Sequence, residues 1–160
     1  DATPVAAAGE EAYPKSAGHE TTLAHESADP AFLRATLCLL SDRVARRLRR
    51  MEAGAMTVAV RYKLGFTRFS RQRRLAEPTQ DGIHLTRIAR DLLEPARRGR
   101  ALRLIGVAGC ELAPCSQPPL LPDDIVRERL HHTGDRLRDR FGEGVLLPAE
   151  TLRRRTRRGR

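Results

Sequence analysis

Residues 57–75 read TVAVRYKLGFTRFSRQRRL, and the period of the apolar residues in this stretch decides how its surroundings are read. Val58, Val60, Tyr62 and Leu64 alternate with Thr57, Ala59, Arg61 and Lys63, which predicts a strand with one apolar and one charged face. Gly65 stands where the chain must turn back. The return, Thr67 to Leu75, alternates imperfectly. Phe69 and Leu75 share a parity with Arg71 and Arg73, and all four cannot be buried, so a bulge or a change of face is expected within it. Arg61, Lys63, Arg68, Arg71, Arg73 and Arg74 are interleaved with Thr67, Ser70 and Gln72, whose hydroxyl and amide groups can bond phosphate oxygens. An edge hairpin needs only one or two charges to discourage sheet-to-sheet pairing. Six on one hairpin point to a polyanion surface.

A helix is expected on either side of this hairpin. Upstream, Asp29 followed by Pro30 is a helix start, and Leu33, Leu37, Leu40, Val44 and Leu48 recur at helical spacing, with Arg43, Arg46, Arg47, Arg49 and Arg50 largely off that line. Gly54 is the expected stop. Downstream, Thr79 or Asp81 can cap a helix carrying Leu85, Ile88, Ala89, Leu92 and Leu93, with Glu94 before Pro95 and then Gly99 marking its end. Short alternating segments at Lys15–Ala24 and Ala101–Leu112 supply a first and a last strand.

The order is then βαββαβ. Both helices must bury their stripes against the sheet, and right-handed crossovers place them on the same side. The expected fold is α+β, a four-stranded antiparallel-type sheet with two helices on one face. Its other face is left open, with Arg61 and Lys63 pointing into it. Residues 1–14 have the composition of a flexible linker and 15–113 form the domain. Residues 114–160 are an extended, partly helical tail, in which Ile125–Leu130 and Asp135–Phe141 form a helix broken at Thr133 and Gly134. The tail closes on six arginines in its last nine residues, Arg153 to Arg160.

Composition supports a polyanion partner and argues against several chemistries. Thirty Lys and Arg against twenty Asp and Glu leave a formal charge of +10 in 160 residues. No apolar run approaches the ~20 residues that cross a bilayer, and no secretory leader pattern is present. Cys38, Cys110 and Cys115 lack the paired spacing of a zinc site and suit a reducing, cytoplasmic setting. The carboxylates fall mainly in caps, turns and tail rather than converging, no phosphate loop or nucleophile elbow occurs, and the five histidines read as surface residues. An RNA-recognition module shares this strand order, but it would need aromatic residues for base stacking on its central strands. Tracking of a duplex backbone fits better than base reading.

These segments together resemble a known family. KSAGHETT, the helix from DPAFL to RRLRRM, TVAVRYKLGFTRFSRQRRLAEPT, the helix ending ARDLLEP, and LRLIGVAGCELAP are similar to the little-finger domain of the bacterial Y-family DNA polymerases, DNA polymerase IV type. The resemblance covers about 100 residues. It implies a domain that grips primer-template duplex through backbone contacts in a translesion polymerase. Matched by motif, the contact residues would be Ser16, His19 and Thr21 in the first strand and Arg61, Lys63, Arg68, Ser70, Arg71 and Arg73 in the hairpin. The family's Mg2+ is held by palm carboxylates, for which this chain offers no counterpart, so no cofactor is expected in the chain and it should be inactive alone. Its opening on Asp fits a C-terminal fragment, as a monomer.

Departures from the family pattern affect the hairpin register: the hairpin is about one residue shorter, Gly65 replaces a common Asp, and Ala17 replaces a larger apolar residue. Many members carry a sliding-clamp peptide after the last strand. QPPLL has that place here, with Gln117, Leu120 and Leu121 as its anchors, although the aromatic residue is missing. RLRDRFGEG also resembles the family's closing segment. A second reading is a catalytically inactive homologue that serves as an interaction subunit for a polymerase or clamp.

Overall fold

The computed structural model describes residues 15–115 and 122–152. The elements are β1 (Ser16–Ser27), α1 (Pro30–Arg50), β2 (Ala53–Leu64), β3 (Thr67–Thr79), α2 (Gly82–Arg97), β4 (Leu102–Pro114), α3 (Pro122–Phe141) and a short 3-10 turn, Ala149–Thr151. The four strands form one antiparallel sheet in the order β1-β4-β2-β3. The α+β class and the βαββαβ core agree with the sequence reading.

The core is the apolar parity of the sheet against the stripes of α1 and α2. Val58, Val60 and Tyr62 of β2 and Ile105 and Val107 of β4 pack with Leu33, Leu37, Leu40, Val44 and Leu48 of α1 and with Leu85, Ile88 and Leu93 of α2. Asp29 caps α1, its carboxylate accepting from the Ala31 amide at 3.0 Å, and Asp81 caps α2, accepting from the Ile83 amide at 2.7 Å.

Three local expectations change. The helix stop after α1 is not Gly54, which already lies in β2; the turn is made at Met51 and Glu52, the latter with φ 51°. Gly54 is needed for another reason: a Cβ there would meet the Pro78 Cβ at 2.8 Å, where the end of β3 crosses β2. Helix α2 does not end at Glu94 but runs through Pro95 to Arg97, stopping just before Gly99, which takes φ 72°. The Arg97 side chain is buried, paired with Glu94 at 2.7 Å and donating to the Ala28 carbonyl at 3.3 Å, and this tertiary anchor holds the last turn despite the amide that proline lacks.

Helix α3 is continuous through Thr133 and Gly134. Ion pairs grip it on both sides of the glycine, Arg127 with Asp81 at 3.9 Å and Asp135 with Arg49 at 2.7 Å. The irregularity anticipated in the return strand lies at its far end, where four residues of β3, 75 to 78, stand against Met56 alone. Arg71 and Arg73 share the parity of Phe69 and stay exposed because β3 is an edge strand.

Candidate nucleic-acid interface

The ladders define the open face residue by residue, since directly paired residues share a face. Along β2 that face carries Thr57, Ala59, Arg61 and Lys63, paired on β3 with Arg74, Gln72, Ser70 and Arg68. On the other side β4 offers Cys110, Ala108, Gly106 and Leu104, and β1 continues with Ser16, Gly18, Glu20 and Thr22. The centre of this grid is therefore made of the smallest side chains, Gly18, Ala59, Gly106 and Ala108. Arg61, Lys63, Arg68 and Arg74 stand along one side of it. A groove of about 290 Å³ runs over the floor, with Ser16, Gly18, Arg61, Gly106 and Ala108 among its lining residues.

Close packing also requires these glycines. A Cβ on Gly106 would stand 2.8 Å from the Glu20 Cβ, and one on Gly18 would stand 3.1 Å from the Ala108 Cβ. The result is a shallow lane into which a polymer backbone can come close to the sheet.

The cations on this face are loosely held. Arg68 reaches towards Glu20 at 3.8 Å, and Arg74 lies 3.4 Å from Glu111, with both arginines well exposed. Glu111 takes a left-handed backbone, φ 51°, and its carboxylate also accepts from the Thr57 hydroxyl at 2.7 Å. Exposed pairs of this kind contribute little and exchange readily for another anion. None of the aromatic rings described lies in the lane. Tyr62 is on the helix side, stacked on Phe69 at 5.5 Å, and Phe66 is fully exposed at the turn.

The residues singled out in the sequence separate into two groups. Ser16, Arg61, Lys63, Arg68 and Ser70 come together on the open face. Arg71 and Arg73 have the opposite parity, and Arg73 pairs with Asp91 of α2 at 3.9 Å. His19 and Thr21 pair with Val107 and Ile105, so they too have the parity of the helix side, at the β1 edge. Burial lowers the His19 pKa first, and Arg43 and Arg47 of α1 lower it further. His19 and Arg47 also help to line the groove from that edge. Gln117, Leu120 and Leu121 lie outside the described residues.

Thr57 and the Gly/Ala floor were not singled out, and Arg74 and Gln72, named in the basic hairpin, were not among the contacts matched by motif. The signal for them was the two-residue turn at Gly65 and Phe66, with φ 57° at the glycine: once Leu64 pairs with Thr67, the even-numbered residues of β3 must share a face with Arg61.

Among the described residues, no three His, Cys, Asp or Glu side chains gather as a metal site would require. The three thiols are free, and burial raises each of their pKa values, Cys38 to about 11, which removes them as nucleophiles near neutrality. Among the described residues, no helix is long and apolar enough to cross a membrane.

Comparison with known proteins gives a consistent picture. A family model described as the impB/mucB/samB family C-terminal domain matches residues 14–120. Curated relatives include a DNA polymerase IV of Desulfatibacillum aliphaticivorans, 36% identical over 121 residues, or 71% of this chain and 31% of that protein. Another, from Brucella melitensis, is 33% identical over 143 residues, or 86% of this chain and 32% of that protein. The chain thus spans about a third of the length of these relatives. Among solved structures, the little finger domain of PolIV in complex with the beta-clamp processivity factor aligns with a TM-score of 0.53 at 23% identity, covering 67% of this chain and 97% of that one. A Y-family DNA polymerase chimera aligns at 0.55 and 19%, over 64% of this chain and 30% of that one. At these identities the structural matches establish the fold, which is that of the little finger.

Proposed function

This chain belongs to the impB/mucB/samB family C-terminal domain, and on that premise we propose that its open sheet face grips duplex DNA for a lesion-bypass polymerase. The observation that carries the reading is the Gly/Ala lane bordered by Arg61, Lys63, Arg68 and Arg74. Guanidinium and ammonium groups meet phosphates as charge-assisted donors, with Ser16, Ser70 and Gln72 adding neutral ones. The small floor lets a sugar-phosphate backbone approach closely. None of the described rings lies in the lane, so contact there is sequence-independent and the domain holds DNA in register for chemistry performed elsewhere. In this reading the parent protein adds nucleotides opposite damaged bases with Mg2+ bound outside this domain, and QPPLL at 117–121 is its contact with a sliding clamp.

Four phosphate contacts imply that log affinity falls with log salt at a slope near −4, since each released counterion contributes about 0.9. A titration of primer-template duplex between 50 and 200 mM salt tests this. Arg61→Ala with Lys63→Ala should flatten the slope by about 2 and weaken all sequences alike. Salt-independent binding, or loss confined to one sequence, would overturn the reading.

A further inference from the structure

Helix α3 is docked with its polar side inward. None of its residues is buried, and Val126, Leu130, Leu137 and Phe141, which share one stripe at helical spacing, are exposed. What holds it to the body is charge. Asp135 accepts from Nε and Nη2 of the Arg49 guanidinium at 2.7 and 2.8 Å, Asp139 bridges Arg46 and Arg50, Glu143 meets Arg46, and Arg138 reaches back to Asp42 at 3.0 Å. Asp135 and Asp139 stand one helical turn apart, about 6 Å. They and Glu143 present a row of carboxylates to a row of arginines.

That arginine row is not a core feature. Arg46, Arg49 and Arg50 project from α1 on the side away from the sheet, and the side chains of the first two are covered by α3, by the Glu143 carboxylate just after it and, at Arg49, by the Gln80 carbonyl. The pairing is also incomplete: the Arg46 Nε is buried without a hydrogen-bond partner, its nearest carboxylate oxygen on Asp135 being 4.0 Å away. Lifting α3 would therefore sacrifice ion pairs and almost no apolar burial, and the freed arginines would need replacement anions.

We propose that the outer face of α1, at Arg46, Arg49 and Arg50, is a second binding surface for the phosphate backbone of duplex DNA, and that α3 covers it in cis with Asp135, Asp139 and Glu143 standing where phosphates would bind. The surface lies on the side of α1 away from the sheet, where Arg49 also donates to the Gln80 carbonyl at 3.2 Å just beyond β3, and its arginines are distinct from those of the open sheet face. DNA gains the site by displacing α3, so the cover sets a threshold of DNA concentration and salt below which only the open sheet face is available.

The test uses the full chain and a duplex of mixed sequence. Asp135→Asn, Asp139→Asn and Glu143→Gln together should tighten binding about tenfold at 0.1 M salt and steepen the salt slope by about 2.7, for three further phosphates. Asp123→Asn, Asp124→Asn and Glu128→Gln make the same change in net charge on the same helix and should leave the slope where it was. Replacing Arg46, Arg49 and Arg50 with Ala in the neutralised chain should return the slope to its starting value. Asp139 is half exposed, so Asp139→Asn alone preserves the fold and should steepen the slope by about 1. An unchanged slope in Asp139→Asn, or an equal gain in the charge-matched control, overturns the proposal. If the unaltered chain binds no duplex the reading of the hairpin fails, whereas a gain on neutralisation still supports the covered surface.

Discussion

Arg61 and Arg46 carry the same guanidinium group on neighbouring elements and end in opposite circumstances. Arg61 stands exposed on the interior strand β2 beside a floor of glycine and alanine, with no ion pair to a carboxylate among the described residues. Arg46 is 5% exposed and clamped between Asp139 and Glu143. Both lie in arginine-rich stretches that look alike in composition. The difference is whether the chain itself returns to supply the anion. The hairpin keeps its charge available to a ligand, whereas α1 has its charge answered by α3, and the same residue type becomes a binding group in one place and a structural clamp in the other.

The comparison is most sharply drawn by replacing one arginine from each side. Arg46→Ala strips Asp139 and Glu143 of a partner and empties a buried site, and should lower stability by about 2 kcal/mol; the figure sits below that for a fully buried pair because both carboxylates can turn to water. Arg61→Ala should change stability by no more than about 0.5 kcal/mol while weakening DNA binding. Urea denaturation of the two variants reads this directly, and equal stabilities would erase the distinction. Within the hairpin, the parity of β3 separates Arg74 from Arg71. Arg74→Ala should flatten the salt slope by about 1 and Arg71→Ala should leave it nearly unchanged. The opposite result would mean that DNA approaches from the sheet edge.

The smallest expected effect is on pH. His131 of α3 is half-buried, and its pKa is lowered first by that burial and then by Arg49, with Arg127 adding to the shift and Asp81 and Asp135 opposing it. A histidine whose folded pKa lies below 6.5 contributes stability above that pH and loses it as the pH falls, because the unfolded chain takes the proton first. Asp139, held below 3.8 by Arg50 and Arg46, acts in the same direction at lower pH: its contribution is present above 3.8 and is lost as the pH falls through the folded value. Thermal melting should therefore weaken from pH 7 to pH 5, and His131→Gln should reduce that slope. A Tm independent of pH over this range would show that the burial of His131 contributes nothing measurable to stability.

Much of the framework was legible because it is local. Asp29-Pro30, the four-residue steps from Leu33 to Leu48, the alternation from Val58 to Leu64 and the turn at Gly65 each follow from the backbone geometry of a few neighbours. The faces of β3 were not, because an edge strand studded with arginine has no apolar parity to read, and only pairing with β2 assigns them. Arg71 and Arg73, named from the motif, have the parity of the helix side, and so do His19 and Thr21 of β1, whose face is set by pairing with β4. Gly54 and Pro95 carried familiar local meanings that distant residues, Pro78 in one case and Glu94 with Ala28 in the other, replaced.

By itself the sequence determined the α+β framework, the family and an excess of positive charge concentrated in three stretches, since periodicity, caps and composition are properties of short segments. Which of those charges remain available was decided only by tertiary structure. The carboxylates that cover α1 lie more than eighty residues further along the chain, at Asp135 to Glu143, on a helix whose apolar stripe gives no hint that its charged side faces inward. Ion pairing acts through space and leaves no period in the sequence, so the division between a free and an answered arginine appears only once the chain has folded.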